Sequence, residues 1–147
     1  MKAKIKEFWK EFAVEHNFPQ DPVPEAWSFG SDADKLAQLV KQGVKTATTS
    51  GYELYALDDD PLPQAGEYNI ILNSKDQPVC VTVTKVVEVL PFKYISAEHA
   101  YHEGESDRSY AYWHRVHVDF FTREYADYGV SFSPESKCVC EVFELVP

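Results

Sequence analysis

Gly43-Val44-Lys45-Thr46-Ala47-Thr48 is the stretch whose reading decides the fold, because it closes a helical pattern and opens a run rich in Thr and Tyr. A glycine directly after an apolar helical stripe is a common C-cap, since glycine enters the left-handed region without steric cost. Lys45 then falls just beyond that cap. If the turn stays tight, Lys45 and Thr48 converge on one small site; if the chain runs straight into a strand, positions three apart face opposite sides. The spacing permits both.

Upstream of this stretch, Leu36, Leu39 and Val40 form the apolar stripe of a helix ending at Gly43, and Ser31-x-x-Asp34 resembles a capping box with Asp in place of Glu. Earlier still, Ile5, Phe8, Trp9, Phe12 and Ala13 recur at helical spacing, which predicts an amphipathic first helix ending before Pro19. Pro19, Pro22 and Pro24 then make an extended connector.

Downstream, Ala47 to Tyr55 reads as a strand, and Asp58 to Pro63 as an acidic, proline-broken rim loop. Gly66 to Leu72, Val79 to Val89 and Lys137 to Val146 read as further strands, with a turn over Asn73 to Gln77. Ser96 to Tyr128 reads as a mostly helical insertion, capped by Ser96 and broken at Gly104. A few short strands over about 100 residues favour a small barrel above a sandwich. The expected fold class is α+β: a single domain over residues 1–147, with an N-terminal helix and connector over 1–24 and a barrel over 25–147 that carries the insertion at about 96–128.

The length of 147 residues suits one domain with a sizeable core. A hydrophobic share of 44% and an aromatic share of 14% belong to a folded globular chain. Mean hydropathy of -0.38 and the absence of a long apolar run predict no spanning helix and no membrane partner. The opening MKAKIKEFWKEF lacks the apolar core of a secretion signal, so a cytoplasmic location is expected. Cys80, Cys138 and Cys140 lie among Val, Thr and Phe and are expected as buried reduced thiols, with no zinc spacing among them. The net charge of -10 argues against duplex DNA, which needs a basic face to release phosphate counterions. A local cleft for a nucleoside or a short single strand remains compatible with it.

The segment from His99 to Arg108 packs carboxylates, imidazoles and a guanidinium around Gly104. A carboxylate there that points into a cleft would have its pKa raised by burial and work as an acid or base. A metal set drawn from His99, His102, Glu103 and Glu105 has no partner motif elsewhere, so neither metal nor cofactor is expected. His114 and His117 are neighbours on one helix face beside Trp113 and Arg115. Taken singly, Lys45 reads as an exposed lysine and Thr48 as a strand residue.

The Gly43 to Thr48 stretch resembles the GxKxxT signature of the ASCH domain family, a branch of the PUA-like β-barrels. Further landmarks follow in order: Trp27-Ser28-Phe29-Gly30, Leu62 to Tyr68, Pro78-Val79-Cys80, Pro91-Phe92, His102 to Asp107, Tyr112-Trp113 with His117 and Phe120-Phe121, and Cys140-Glu141-x-Phe143. The resemblance spans about residues 25–146 and leaves the first helix outside, as in a longer bacterial type. It implies a PUA-like barrel with a cleft suited to RNA or a modified nucleoside. Some small bacterial members are amidohydrolases that remove the acetyl group from N(4)-acetylcytidine, using the Lys and Thr of the signature and a Glu from the later helical segment. Carried over by motif, these fall on Lys45, Thr48 and Glu103, with Glu105 as the alternative.

Amide hydrolysis on that assignment has Thr48 attack the acetyl carbonyl, Lys45 take the hydroxyl proton and Glu103 protonate the departing nitrogen. Trp27, Tyr52 or Trp113 is expected to stack on the base. Two further readings keep the cleft but change the chemistry. In one it binds single-stranded RNA or a nucleotide, with Lys45 on a phosphate, Arg108 or Arg115 in support, and His117 on the cleft wall. In the other it cleaves single-stranded RNA.

Overall fold

The fold, seen in a computed structural model that describes residues 2–147, is a curled five-stranded sheet flanked by helices on both faces. The strands are β1 (Glu25–Trp27), β2 (Ala47–Gly51), β3 (Tyr68–Leu72), β4 (Pro78–Pro91) and β5 (Lys137–Val146). Their order is β1-β3-β4-β5-β2; β1 runs parallel to β3 and every other pairing is antiparallel. The expected barrel is therefore present but open. β1 and β2 are its two edges, and the gap between them is where a ligand can enter.

β4 is what makes the sheet curl. Its Pro78–Val83 stretch pairs with β3 and its Val81–Pro91 stretch with β5, and the β4-β5 register slips between Thr84 and Val86. An extra residue in one strand increases local twist and bends it, which swings the β5-β2 end of the sheet back toward β1.

The helices are α1 (Lys2–His16), α2 (Ala33–Lys41), α3 (Tyr52–Leu57), α4 (Ala97–Glu103) and α5 (Tyr110–Asp127). Trp9 and Ala13 of α1 pack on Ile70, Leu72 and Val81, covering the β3-β4 face. α2 places Ala37 and Val40 against Ile71, Cys80 and Phe143. The largest cluster joins α5 to β5 through Trp113, Phe121, Tyr125, Phe92, Cys138 and Cys140. All three cysteines are buried and unpaired, as their apolar surroundings predict.

Three local expectations need correction. The strand beginning at Ala47 stops at Gly51, and Tyr52 to Leu57 is helical. Gly51 has Tyr125 packed against it so closely that an added Cβ would lie 2.6 Å from the ring. The tertiary contact overrides the β-preference of the Tyr residues that follow. The capping box does not form: Asp32 is the N-cap of α2 and makes no side-chain cap bond, while the Asp34 carboxylate accepts from the Ser74 amide at 2.8 Å. Strand β1 was not expected at all, since three residues are too few to show a period.

Gly43 does take the left-handed conformation, at φ 77°. The amides of Gly43 and Val44 return to the carbonyls of Val40 and Leu39, the paired bonds of a Schellman ending. The turn is tight, and it is buttressed from α4. Gly104, at φ 74°, ends α4 directly against Val44; an added Cβ would sit 2.7 Å from the Val44 carbonyl oxygen. The Thr46 amide donates to the His102 carbonyl at 2.8 Å. Gly104→Ala combines a left-handed backbone with a clash against main chain, and it should cost about 1–3 kcal/mol in urea unfolding.

Candidate active site

Lys45 is 1% exposed, against the expectation of an ordinary surface lysine. The Schellman turn and the Val44–Gly104 contact carry it inward toward the end of α4. Its Nζ lies 3.2 Å from Glu103 Oε1 and 3.4 Å from Glu105 Oε2, and 5.2 Å from the centre of the Phe29 ring. Glu103 is equally buried, at 1%. The two halves of the proposed site, 58 residues apart in the chain, are thus one ion pair.

Glu103 is surrounded by donors. Its Oε2 accepts from Thr49 Oγ1 at 2.6 Å and from Trp113 Nε1 at 2.7 Å, and His99 Nε2 lies 3.4 Å away. Its Oε1 faces Lys45 and, at 3.4 Å, His117 Nε2. Burial alone raises a carboxyl pKa, but the Lys45 charge and the hydrogen bonds from His117 and His99 outweigh it and hold Glu103 well below the usual range. It is a permanent carboxylate. The role of proton donor to a leaving nitrogen does not suit such a group, and the expectation for Glu103 is corrected on that point.

His117 is the counterpart. Its Nδ1 is 2.8 Å from the Trp113 carbonyl, which can only accept, so that nitrogen carries a proton. Nε2 then faces a carboxylate and is stabilised when it too is protonated. Burial by itself lowers the imidazole, but the hydrogen bond and charge of Glu103 reverse this and raise it above its ordinary value. The ring is thereby biased toward its protonated form, and it shares Glu103 with Lys45.

Thr48 does not touch Glu103; its neighbour Thr49 does. Along β2 the side chains alternate, so Thr49 turns to α4 while Thr48 turns to the interior of the curled sheet. Thr48 there borders both lobes of the cleft. The small lobe is lined by Lys45, Thr48, Thr49, Glu103, Glu105 and His117 among others. The large lobe, about 410 Å³, lies between the sheet edges and is lined by Trp27, Phe29, Tyr55, Asn69, Phe120 and Glu141 among others. Thr48 sits where the charged cluster meets the roomy cleft.

The other anticipated residues divide. Trp27 lines the large lobe and donates Nε1 to Asn69 Oδ1 at 3.0 Å, leaving its ring on the wall. Trp113 is 2% exposed, stacked against Phe92 and His117, and is a ligand to Glu103 with no face free for a base. Tyr52 lies outside both lobes, 5.8 Å from the Lys137 ammonium. Arg108 folds over the Tyr101 ring at 3.7 Å and donates to the Tyr101 carbonyl, and Arg115 lies over Tyr112 at 5.4 Å. Neither arginine borders the cleft, so neither is placed to hold a phosphate there.

Sequence reasoning missed Thr49 and did not foresee His99 as a ligand of the same carboxylate. The His99–Glu103 spacing of four residues on α4 was the available signal. The ligand atoms of Glu103, Glu105 and His117 lie within 4.8 Å of one another, a geometry that can hold a cation, but the Lys45 ammonium already lies against both carboxylates. His102, one of the residues considered for a metal, is instead exposed beside Glu98 at 3.9 Å. Among the described residues no helix is long and apolar enough to cross a membrane.

A curled, open sheet with a cleft between its edges and a buried Lys–Glu pair at one end defines a protein of the PUA-like class. The sequence model of the ASCH domain family matches residues 25–147, and the chain belongs to that family. Two solved structures are similar over nearly the whole chain. Protein EF3133 from Enterococcus faecalis V583 is 35% identical, with a TM-score of 0.90, covering 99% of this chain and 90% of that one. An ASCH domain from Lactobacillus crispatus JV V101 is 26% identical, with a TM-score of 0.83, covering 98% and 92%. No curated protein matches the sequence.

Removing the carboxylate should be costly. Glu103→Ala leaves Lys45 without its buried counter-charge and strips Thr49, Trp113 and His117 of their common partner, and a loss of about 3–5 kcal/mol is expected in denaturant unfolding. The pH dependence has two limbs. Glu103 is depressed in the folded state, so its contribution holds above the unfolded carboxyl value and is lost as pH falls through the lower folded value. His117 is raised, so its contribution is complete below the ordinary imidazole value and is lost as pH rises through the higher folded one. His117→Gln should flatten the alkaline limb and also shrink the acid limb, because His117 helps hold Glu103 low.

Proposed function

We propose that the protein is an amidohydrolase acting on an acylated nucleoside of the N(4)-acetylcytidine type. The observation that carries this reading is the convergence of Lys45, Thr48 and Glu103 on one cleft, with Thr48 at the junction of the charged lobe and the aromatic one. The acidic balance and the placement of Arg108 and Arg115 away from the cleft favour an uncharged substrate above an RNA strand.

The roles differ from the simplest assignment. Thr48 Oγ attacks the acyl carbon, the acyl C–N bond breaks, and the nitrogen leaves with a proton as the free amine. Lys45 is flanked by two carboxylates, and stripping its proton would leave those carboxylates facing each other. Its better use is as a fixed cation that stabilises the oxyanion. Glu103 holds that cation in place. Glu105, at 19% exposure and bonded to Lys45 alone, is the carboxyl with free lone pairs to carry the proton from Thr48 to the nitrogen. Water then hydrolyses the acyl-threonine.

Purified protein incubated with N(4)-acetylcytidine should release cytidine and acetate. Lys45→Ala and Thr48→Val are each expected to reduce kcat/KM by about 100-fold or more. Glu105→Gln should reduce kcat with KM little changed. Undiminished turnover in Lys45→Ala or Thr48→Val sinks the assignment. Turnover that falls steeply with added salt points instead to a phosphate-bearing substrate.

A further inference from the structure

The large lobe contains a second buried acid that the reaction above does not use. Glu141 is on β5, directly opposite Thr48 of β2 in the antiparallel register. Cross-strand partners of this kind project from the same face with Cβ atoms about 5 Å apart. Both border the large lobe, and the Glu141 side chain is 8% exposed. A carboxyl group inside an aromatic-walled cleft, beside the residue assigned as nucleophile, needs a reason to be there.

Its surroundings are built rather than incidental. Trp27 Nε1 donates to Asn69 Oδ1 at 3.0 Å, and Asn69 Nδ2 donates to Thr84 Oγ1 at 3.2 Å. Thr84, itself 1% exposed, sits close enough to Glu141 for its hydroxyl to favour the charged form of the acid. The hydrogen bonds run from the indole on the cleft wall through the Asn69 amide to the Thr84 hydroxyl, and they fix the groups that border Glu141.

We infer that Glu141 recognises the edge of the base, donating its O–H to the ring nitrogen and accepting from the exocyclic N–H, so that the cleft selects a cytosine-type amidine edge. The inference rests on the nucleoside reading of the cleft. An acyl carbon attached to the exocyclic nitrogen is one bond beyond the atom Glu141 holds. Thr48, on the adjacent strand, is then the side chain next to that carbon. The pairing and the chemistry share one cross-strand register.

The two-point pair requires the protonated carboxyl, since a carboxylate repels a ring nitrogen lone pair. Burial pushes the Glu141 acid up to about 7, with the charges of Glu67 and Glu25 adding to it and the Thr84 hydrogen bond opposing. The other titratable groups facing the lobe are Tyr55 of α3, Asp58 and Asp60 after it, Glu124 of α5 and Tyr128 just beyond it. Burial raises Tyr55 to about 12 and Glu124 above its usual value, and all of them leave the lobe short of cations. The expected dependence is tight binding at mildly acid pH and loss as pH rises past neutrality.

Cytidine binding to the full chain, followed by calorimetry from roughly pH 6 to roughly pH 9, tests this without requiring turnover. Wild-type Kd should rise by about tenfold per pH unit above the Glu141 value. Glu141→Gln keeps a donor and an acceptor in the same places but does not titrate; it should bind cytidine across the range with a flat profile. Glu141→Ala should weaken binding at every pH. N(4),N(4)-dimethylcytidine, which lacks the exocyclic N–H, should bind wild type at least about tenfold more weakly than cytidine does. Wild-type pH dependence retained in Glu141→Gln, unchanged affinity in Glu141→Ala, or equal binding of the dimethyl analogue overturns the inference. Failure of hydrolysis with the binding pattern intact overturns the amidohydrolase reading and leaves this one standing.

Discussion

The buried pairing of Lys45 with Glu103 is the constraint to which the rest of the site answers. Neither ion tolerates the interior alone, and an isolated pair would still be expensive to desolvate. The protein meets that cost by saturating the carboxylate with Thr49, Trp113, His99 and His117, so that strand β2 and helices α4 and α5 all end at one group. A carboxylate with this many donors holds three elements in mutual position. The same saturation makes it a poor proton carrier and a good anchor.

Curling the sheet produces the space beside that anchor. The slip in β4 bends the sheet until β1 and β2 approach without pairing, and the inward side chains of β2, β3 and β5 become the floor of a cleft. The alternation of side chains along β2 sorts the chemistry: Thr49 goes to the ion-pair cluster and Thr48 to the cleft. A shift of one residue in the β2-β5 register would exchange them. The site is therefore as precise as the register, which Gly51 secures by admitting Tyr125 against the end of β2.

The regular elements were legible in the sequence where the pattern was long. Helices α1, α2 and α5 and strands β3, β4 and β5 all stand close to where apolar periodicity places them. The misses were short or decided from outside. β1 has three residues, α3 takes over tyrosines that prefer strands because Tyr125 packs at Gly51, and Asp34 is drawn off to the Ser74 turn. In the site, the motif resemblance singled out Lys45, Thr48 and Glu103, and of the aromatics expected to stack, Trp27 lines the cleft while Trp113 and Tyr52 do not. Trp113 is buried as a hydrogen-bond donor and Tyr52 lies outside the cleft.

By itself the sequence determined the family and the main elements, and it singled out a lysine, a threonine and a glutamate that the fold brings to one cleft. These are properties of local pattern and ordered motifs, and they survive without coordinates. Only the tertiary structure decided which group is charged, which is neutral and which hydroxyl faces which partner. Burial and proximity set those, and both depend on residues far apart in the chain. Glu103 and Glu141 illustrate the point: alike in sequence, one is held as an anion by donors from three elements, and the other is driven toward its acid form inside an acidic, half-closed cleft.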